Sequence, residues 1–133
     1  MSARPVLAVL AVEDVARSRA FYVAAFDWAV RVDVGVYVEM EAPGGFHVGL
    51  YDRRGYAKNT GRLPVAVPAD AVAPGELYLR VDDVPAAAAR LERAGGRVLS
   101  PAALRPWGDE VAYLADPDGH VLALSRPTGP VAD

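Results

Sequence analysis

Val81-Asp82-Asp83-Val84 closes a run of alternating apolar residues that opens at Leu77, and Val12-Glu13-Asp14-Val15 closes a similar run from Val6. Alternation of period two reads as a half-buried strand. A helical pattern follows each. Asp14 and Asp83 stand where a side-chain oxygen accepts from the free amides of a first helical turn, and Pro85 falls where that turn tolerates proline. The spacing behind each cap also agrees: Val15, Ser18, Tyr22 and Phe26 in one helix, Val84, Ala87, Ala88 and Leu91 in the other. Gly95-Gly96 supplies a C-cap for the second helix.

The chain therefore repeats itself. The capping aspartates lie 69 residues apart, and the turns Ala42-Pro43-Gly44-Gly45 and Asp116-Pro117-Asp118-Gly119 match at a distance of 74. One turn joins Tyr37–Met40 to His47–Tyr51, the other Val111–Leu114 to Val121–Ser125. Short strands near Val30–Val32 and Arg97–Leu99 complete a βαβββ order in each copy, an α+β architecture. The expected organisation is one domain overall: a first module over 1–51, a Gly-, Pro- and Arg-rich linker or flexible loop over 52–74, a second module over 75–126 and a tail over 127–133. A single copy leaves one sheet face uncovered. Two curved sheets enclosing a cleft are the expected solution, and a cleft is where a ligand site belongs.

Composition narrows the function. The 133 residues suit one domain, and 53% hydrophobic with 23% charged residues is ordinary for a folded chain. A net charge of −3 offers no basic field to nucleic acid or to an anionic membrane. The absence of cysteine removes thiol catalysis, disulfides and Cys-ligated metals. No apolar run approaches the roughly 20 residues of a membrane helix. The N-terminal residues lack the basic and apolar segments of a leader, so a cytoplasmic location is expected. There is no Gly-rich phosphate loop ahead of a helix, no Gly-x-Ser-x-Gly elbow and no His-Glu-x-x-His.

The tandem βαβββ pattern, Val-Asp-Asp-Val before the second helix and Asp116-Pro117-Asp118-Gly119-His120 before the last strand resemble the vicinal oxygen chelate superfamily. That group includes glyoxalase I, bleomycin-resistance proteins and extradiol dioxygenases. Trp107-Gly108 and Tyr113-Leu114-Ala115 are similar to small members of the group. The resemblance spans nearly the whole chain and implies the glyoxalase/bleomycin resistance fold. It also implies divalent-metal ligands on the first and last strands of each copy. Those positions fall on Leu7, Gly49, Glu76 and Ala123, of which Glu76 alone can ligate. One carboxylate holds a cation weakly against water, so no cofactor is expected.

Strand parity then selects the cleft-facing side chains. With Gly49 go His47 and Tyr51; with Glu76 go Tyr78 and Arg80; on the third strands Tyr37, Glu39, Val111 and Tyr113 follow, and Trp107 stands in the loop before the last of these. Tyr37, Glu39, His47, Tyr51, Glu76, Tyr78, Arg80, Trp107 and Tyr113 are the candidate ligand-binding residues, an aromatic box with acidic anchors for a flat or cationic molecule. The packing alternative pairs Glu76 with Arg80 and leaves the tyrosines as filler. His47 and Glu39, on adjacent strands, come within reach of a general-base pair and are the candidate catalytic residues. His120 points away from the cleft, and Asp116 and Asp118 bond to the backbone of their turn. The expected function is metal-independent small-molecule binding, such as antibiotic sequestration, by a homodimer. The alternative is a divergent lyase, isomerase or dioxygenase using a residual metal through Glu76 with His47 or Glu39, or metal-free acid–base chemistry at His47.

Overall fold

A computed structural model of the chain describes residues 2–129. Its elements are β1 (Leu7–Val12), α1 (Val15–Phe26), β2 (Ala29–Asp33), β3 (Tyr37–Glu41), β4 (His47–Asp52), α2 (Arg53–Thr60), β5 (Glu76–Arg80), α3 (Val84–Ala94), β6 (Arg97–Leu104), β7 (Asp109–Ala115) and β8 (Val121–Pro127). The strands form two four-stranded sheets, ordered β1-β4-β3-β2 and β5-β8-β7-β6. The chain divides between Ala66 and Val67 into two compact units, each holding one sheet.

The two units repeat down to register. β1 runs parallel to β4 with Leu7 opposite His47, as β5 does to β8 with Glu76 opposite Val121. Glu39 faces Gly49 across β3 and β4, and Tyr113 faces Ala123 across β7 and β8. Even the turns match: Gly45 and Gly119 have φ of 88° and 87°, the left-handed region that glycine enters without steric cost.

The caps act as their chemistry requires. The Asp14 and Asp83 carboxylates accept from the amides of Arg17 and Ala86, both at 3.0 Å. Gly95 closes α3 in the left-handed conformation, its amide bonded to the Leu91 and Glu92 carbonyls.

α1 and α3 each bury one side against the sheet of their own unit. In the first unit Phe21, Tyr22 and Ala25 are buried with Val38, Met40, Val48 and Leu50; in the second Val84 and Leu91 are buried with Leu114, Leu122 and Leu124. Tyr22, Phe26 and Trp28 stack, with the Phe26 and Trp28 centroids 4.4 Å apart. Emptying such a site, as in Leu91→Ala, costs about 2–5 kcal/mol.

Three expectations need correcting. The 52–74 segment is not loop throughout: Asp52 caps α2 by accepting from the amides of Arg54 and Gly55, and Gly61 ends it. Tyr56 of this helix contacts Tyr51 edge-on. The tail begins later than 127, because β8 pairs through Pro127 opposite Asp109 and Thr128 bonds to the Gly108 carbonyl. Residues 130–133 of that tail lie outside the described residues. Finally, β6 runs to Leu104, irregular in its pairing with β7, rather than ending at Leu99. Among the described residues no helix is long and apolar enough to cross a membrane.

Candidate functional site

On the first sheet, alternation sends Val48 and Leu50 to the helix side and His47, Gly49 and Tyr51 to the opposite face, where Tyr37 and Glu39 of β3 join them. The Glu39 carboxylate is held from two sides. The Tyr37 hydroxyl donates to Oε1 at 2.6 Å, and His47 Nδ1 contacts Oε2. These bonds, that from Tyr37 foremost, hold the carboxyl below its ordinary value, while burial and then the bond to Glu39 push the Tyr37 phenol up. Tyr37 also contacts Tyr51, 5.2 Å between centroids, and Tyr51 contacts Tyr56 at 5.7 Å. All four candidates of this unit therefore meet in one cluster.

The Tyr37 ring lies over Gly49. A Cβ at that position would come within 2.5 Å of Tyr37 Oη and 2.7 Å of a ring carbon. Space, not backbone conformation, demands glycine there.

On the second sheet, Tyr78 and Arg80 of β5, Asp109 and Tyr113 of β7, and Ser125 of β8 share the face away from α3. Asp109, only 8% exposed, organises it. One carboxylate oxygen accepts from the Tyr78 hydroxyl at 2.5 Å and from Arg80 Nη1 at 2.7 Å. Arg80 Nη1 also donates to Ser125 Oγ at 3.1 Å, and that hydroxyl donates to the Leu79 carbonyl. Trp107 Nε1 donates to Tyr78 Oη at 2.8 Å. The bonds from Tyr78 and then Arg80 lower the Asp109 carboxyl, whereas burial and then Asp109 raise the Tyr78 phenol.

Arg80 thus pairs with Asp109, and the suggested Glu76–Arg80 pair does not form. Glu76 sits exposed on the same face at the start of β5. Tyr113 lies under Arg105, whose guanidinium carbon is 5.1 Å from the ring centre and whose nitrogens donate to Ser100 Oγ and the Val111 carbonyl. Asp109 and Arg105 were not among the candidates. Parity alone exposes Asp109, which falls in step with Val111 and Tyr113.

Elsewhere, the Asp116 carboxylate accepts from the amides of Asp118 and His120, both at 2.9 Å, as its turn requires. Arg53 and Arg54 are tied to Glu13.

Two sheets of the same order and register, each with a helix on one face and a polar cluster on the other, accompany a match of residues 6–128 to the family profile of the glyoxalase-like domain. The chain belongs to the glyoxalase-like domain family. It is thereby placed in the glyoxalase/bleomycin resistance/dioxygenase superfamily. Solved structures share the fold of this glyoxalase-like chain. A glyoxalase-related enzyme from Fulvimarina pelagi is 24% identical with a TM-score of 0.84, over 98% of this chain and 94% of that one. A glyoxalase/bleomycin resistance protein/dioxygenase from Nocardioides is 20% identical with a TM-score of 0.75, over 99% and 93%. A lactoylglutathione lyase from Agrobacterium tumefaciens is 21% identical with a TM-score of 0.70, over 94% of each chain. No curated protein matches the chain.

Of the four positions that the sequence resemblance implies for metal ligands, one carries a donor side chain. Leu7 is part-exposed hydrocarbon, Gly49 lies beneath Tyr37, Ala123 is fully buried and Glu76 is the one carboxylate. Among the described residues no three His, Asp or Glu side chains gather as a metal-binding group.

Proposed function

We propose that this glyoxalase-like domain is a metal-independent binding protein for a small aromatic or cationic organic molecule, held against the sheet faces opposite the helices. The observation that carries this reading is the Tyr37 ring over Gly49, tied to Glu39 and through it to His47. Where a ligating side chain would project from the last strand of the first copy, a phenol fills the space. Glu76, a lone carboxylate, does not fit the donor set that a divalent cation needs. Binding by aromatic faces and fixed polar groups remains, the usual chemistry of a small-molecule site.

A ligand that binds only the folded state raises the melting temperature with its concentration. A panel of cationic, neutral and anionic aromatic compounds, including glycopeptide antibiotics, is expected to contain compounds that do so. No shift across the panel would count against the reading.

The His47–Glu39 contact favours one second reading. With Nδ1 against the carboxylate, Nε2 is the ring nitrogen left to move a proton, the arrangement of an acid–base catalyst. Lyase, isomerase or dioxygenase turnover that disappears in His47→Gln would favour this enzyme over a binder.

A further inference from the structure

Three large side chains of the second unit, two on β5 and one in the turn before β7, are exposed and yet hydrogen-bonded in place. Trp107 is 56% exposed, Tyr78 40%, and the Arg80 side chain 57%. Exposed side chains of this size ordinarily sample several rotamers. Here Trp107 hangs on the Tyr78 hydroxyl, and Tyr78 and Arg80 both hang on the buried carboxylate of Asp109. Such restraint prepays the ordering that binding otherwise costs.

Arg80 spends one nitrogen on this scaffold. Nη1 makes both bonds, to Asp109 and Ser125, and among the described residues the Nε–Nη2 edge makes none. That edge is a planar two-donor fork whose spacing matches the two oxygens of a carboxylate. Both bonds that Asp109 accepts, from Tyr78 and Arg80, fall on one of its oxygens. Arg80 also lines a recess of about 400 Å³ with Val81, Asp82, Arg126 and Pro127, where Arg126 is paired with Glu110.

We propose that Arg80, Tyr78 and Trp107 form a subsite for an aromatic carboxylate, its carboxylate on the free Arg80 edge and its ring against the indole and phenol. This rests on the small-molecule-binding reading above and narrows it: on this face the complementary group is an anion rather than a cation.

Naphthoate, naphthamide and naphthylmethylammonium share a ring system and differ in charge, so they separate the two ideas. Binding is read from the indole N–H resonances of the two tryptophans, with buried Trp28 as the internal reference and Trp107→Phe assigning the signals. Naphthoate is expected to move the Trp107 signal and to bind on the order of tenfold more tightly than naphthamide. Arg80→Gln removes that preference, so that naphthoate and naphthamide bind this variant alike; Arg80→Lys, which keeps the charge but not the fork, loses most of it. Equal affinity for naphthoate and naphthamide in the unaltered protein, or a preference for naphthylmethylammonium, overturns the subsite while leaving small-molecule binding intact. So does a preference that survives Arg80→Gln. Silence from all three probes overturns the subsite and counts against the broader reading as well. The first comparison uses the unaltered chain, so it stands whether or not a variant folds.

Discussion

Adding one methyl group to Gly49 drives it into the Tyr37 ring, which is bonded through its hydroxyl to Glu39. Gly49→Ala is therefore expected to cost about 1–3 kcal/mol, the usual range for overpacking, measured by urea unfolding. Tyr37→Phe keeps the ring and removes the hydroxyl, which predicts a loss of about 1 kcal/mol. The pH dependence has a definite sign. The Glu39 carboxyl is depressed below its ordinary value of 4.5, chiefly by Tyr37 and then by His47. Its contribution to stability is thus complete above that value and is lost as the pH falls through the lower folded value. Tyr37→Phe should shrink this acid-side loss in a series of unfolding curves between neutral pH and pH values near 3. An unchanged acid limb would remove Tyr37 as its main source.

α2 shows what one element needs beyond its own sequence. Arg53–Thr60 carries a glycine and no buried residue, so no apolar period announces a helix. Its ends are set by Asp52 and Gly61, and its place by Glu13, which accepts from Arg53 at 2.6 Å and also contacts Arg54. Those partners lie 40 and 41 residues away in sequence, a distance that local pattern cannot report. By contrast, α1, α3 and the strands were legible, because each carries its own period and α1 and α3 carry a capping aspartate. The Glu13 clamp gives α2 a testable weakness. Bonds from Arg54 and then Arg53 hold the Glu13 carboxyl at about 2, so the clamp loses its contribution only as the pH falls from the ordinary 4.5 toward that value. Glu13→Gln is expected to raise amide hydrogen exchange in α2 several-fold at neutral pH while the strands exchange as before. Unchanged exchange in α2 would mean that its packing on Tyr51, not the ion pairs, holds it.

At the scale of the molecule, a single register repeated twice carries two unlike polar clusters. Parity placed Tyr37, Glu39, His47 and Tyr51 on one sheet face and Tyr78, Arg80 and Tyr113 on the other, since period two is intrinsic to a strand. Which polar groups pair was beyond it. Asp109 lies just before the Val111–Leu114 run that marks the strand in the sequence, and it pairs with Arg80 from 29 residues away, across the sheet. We further expect a homodimer, since Val32, Val34 and Val36 leave apolar surface exposed around β2, an edge strand of the first sheet. Sedimentation at micromolar concentration should show it, and a monomer throughout would contradict it. The central claim is that binding here proceeds without metal, and elemental analysis tests it most directly. The protein is purified without chelator or metal-affinity resin, loaded with excess Ni²⁺, Zn²⁺, Fe²⁺ and Mn²⁺, and desalted. The account predicts no more than trace metal in each case, whereas near-stoichiometric metal that disappears in Glu76→Ala would contradict it.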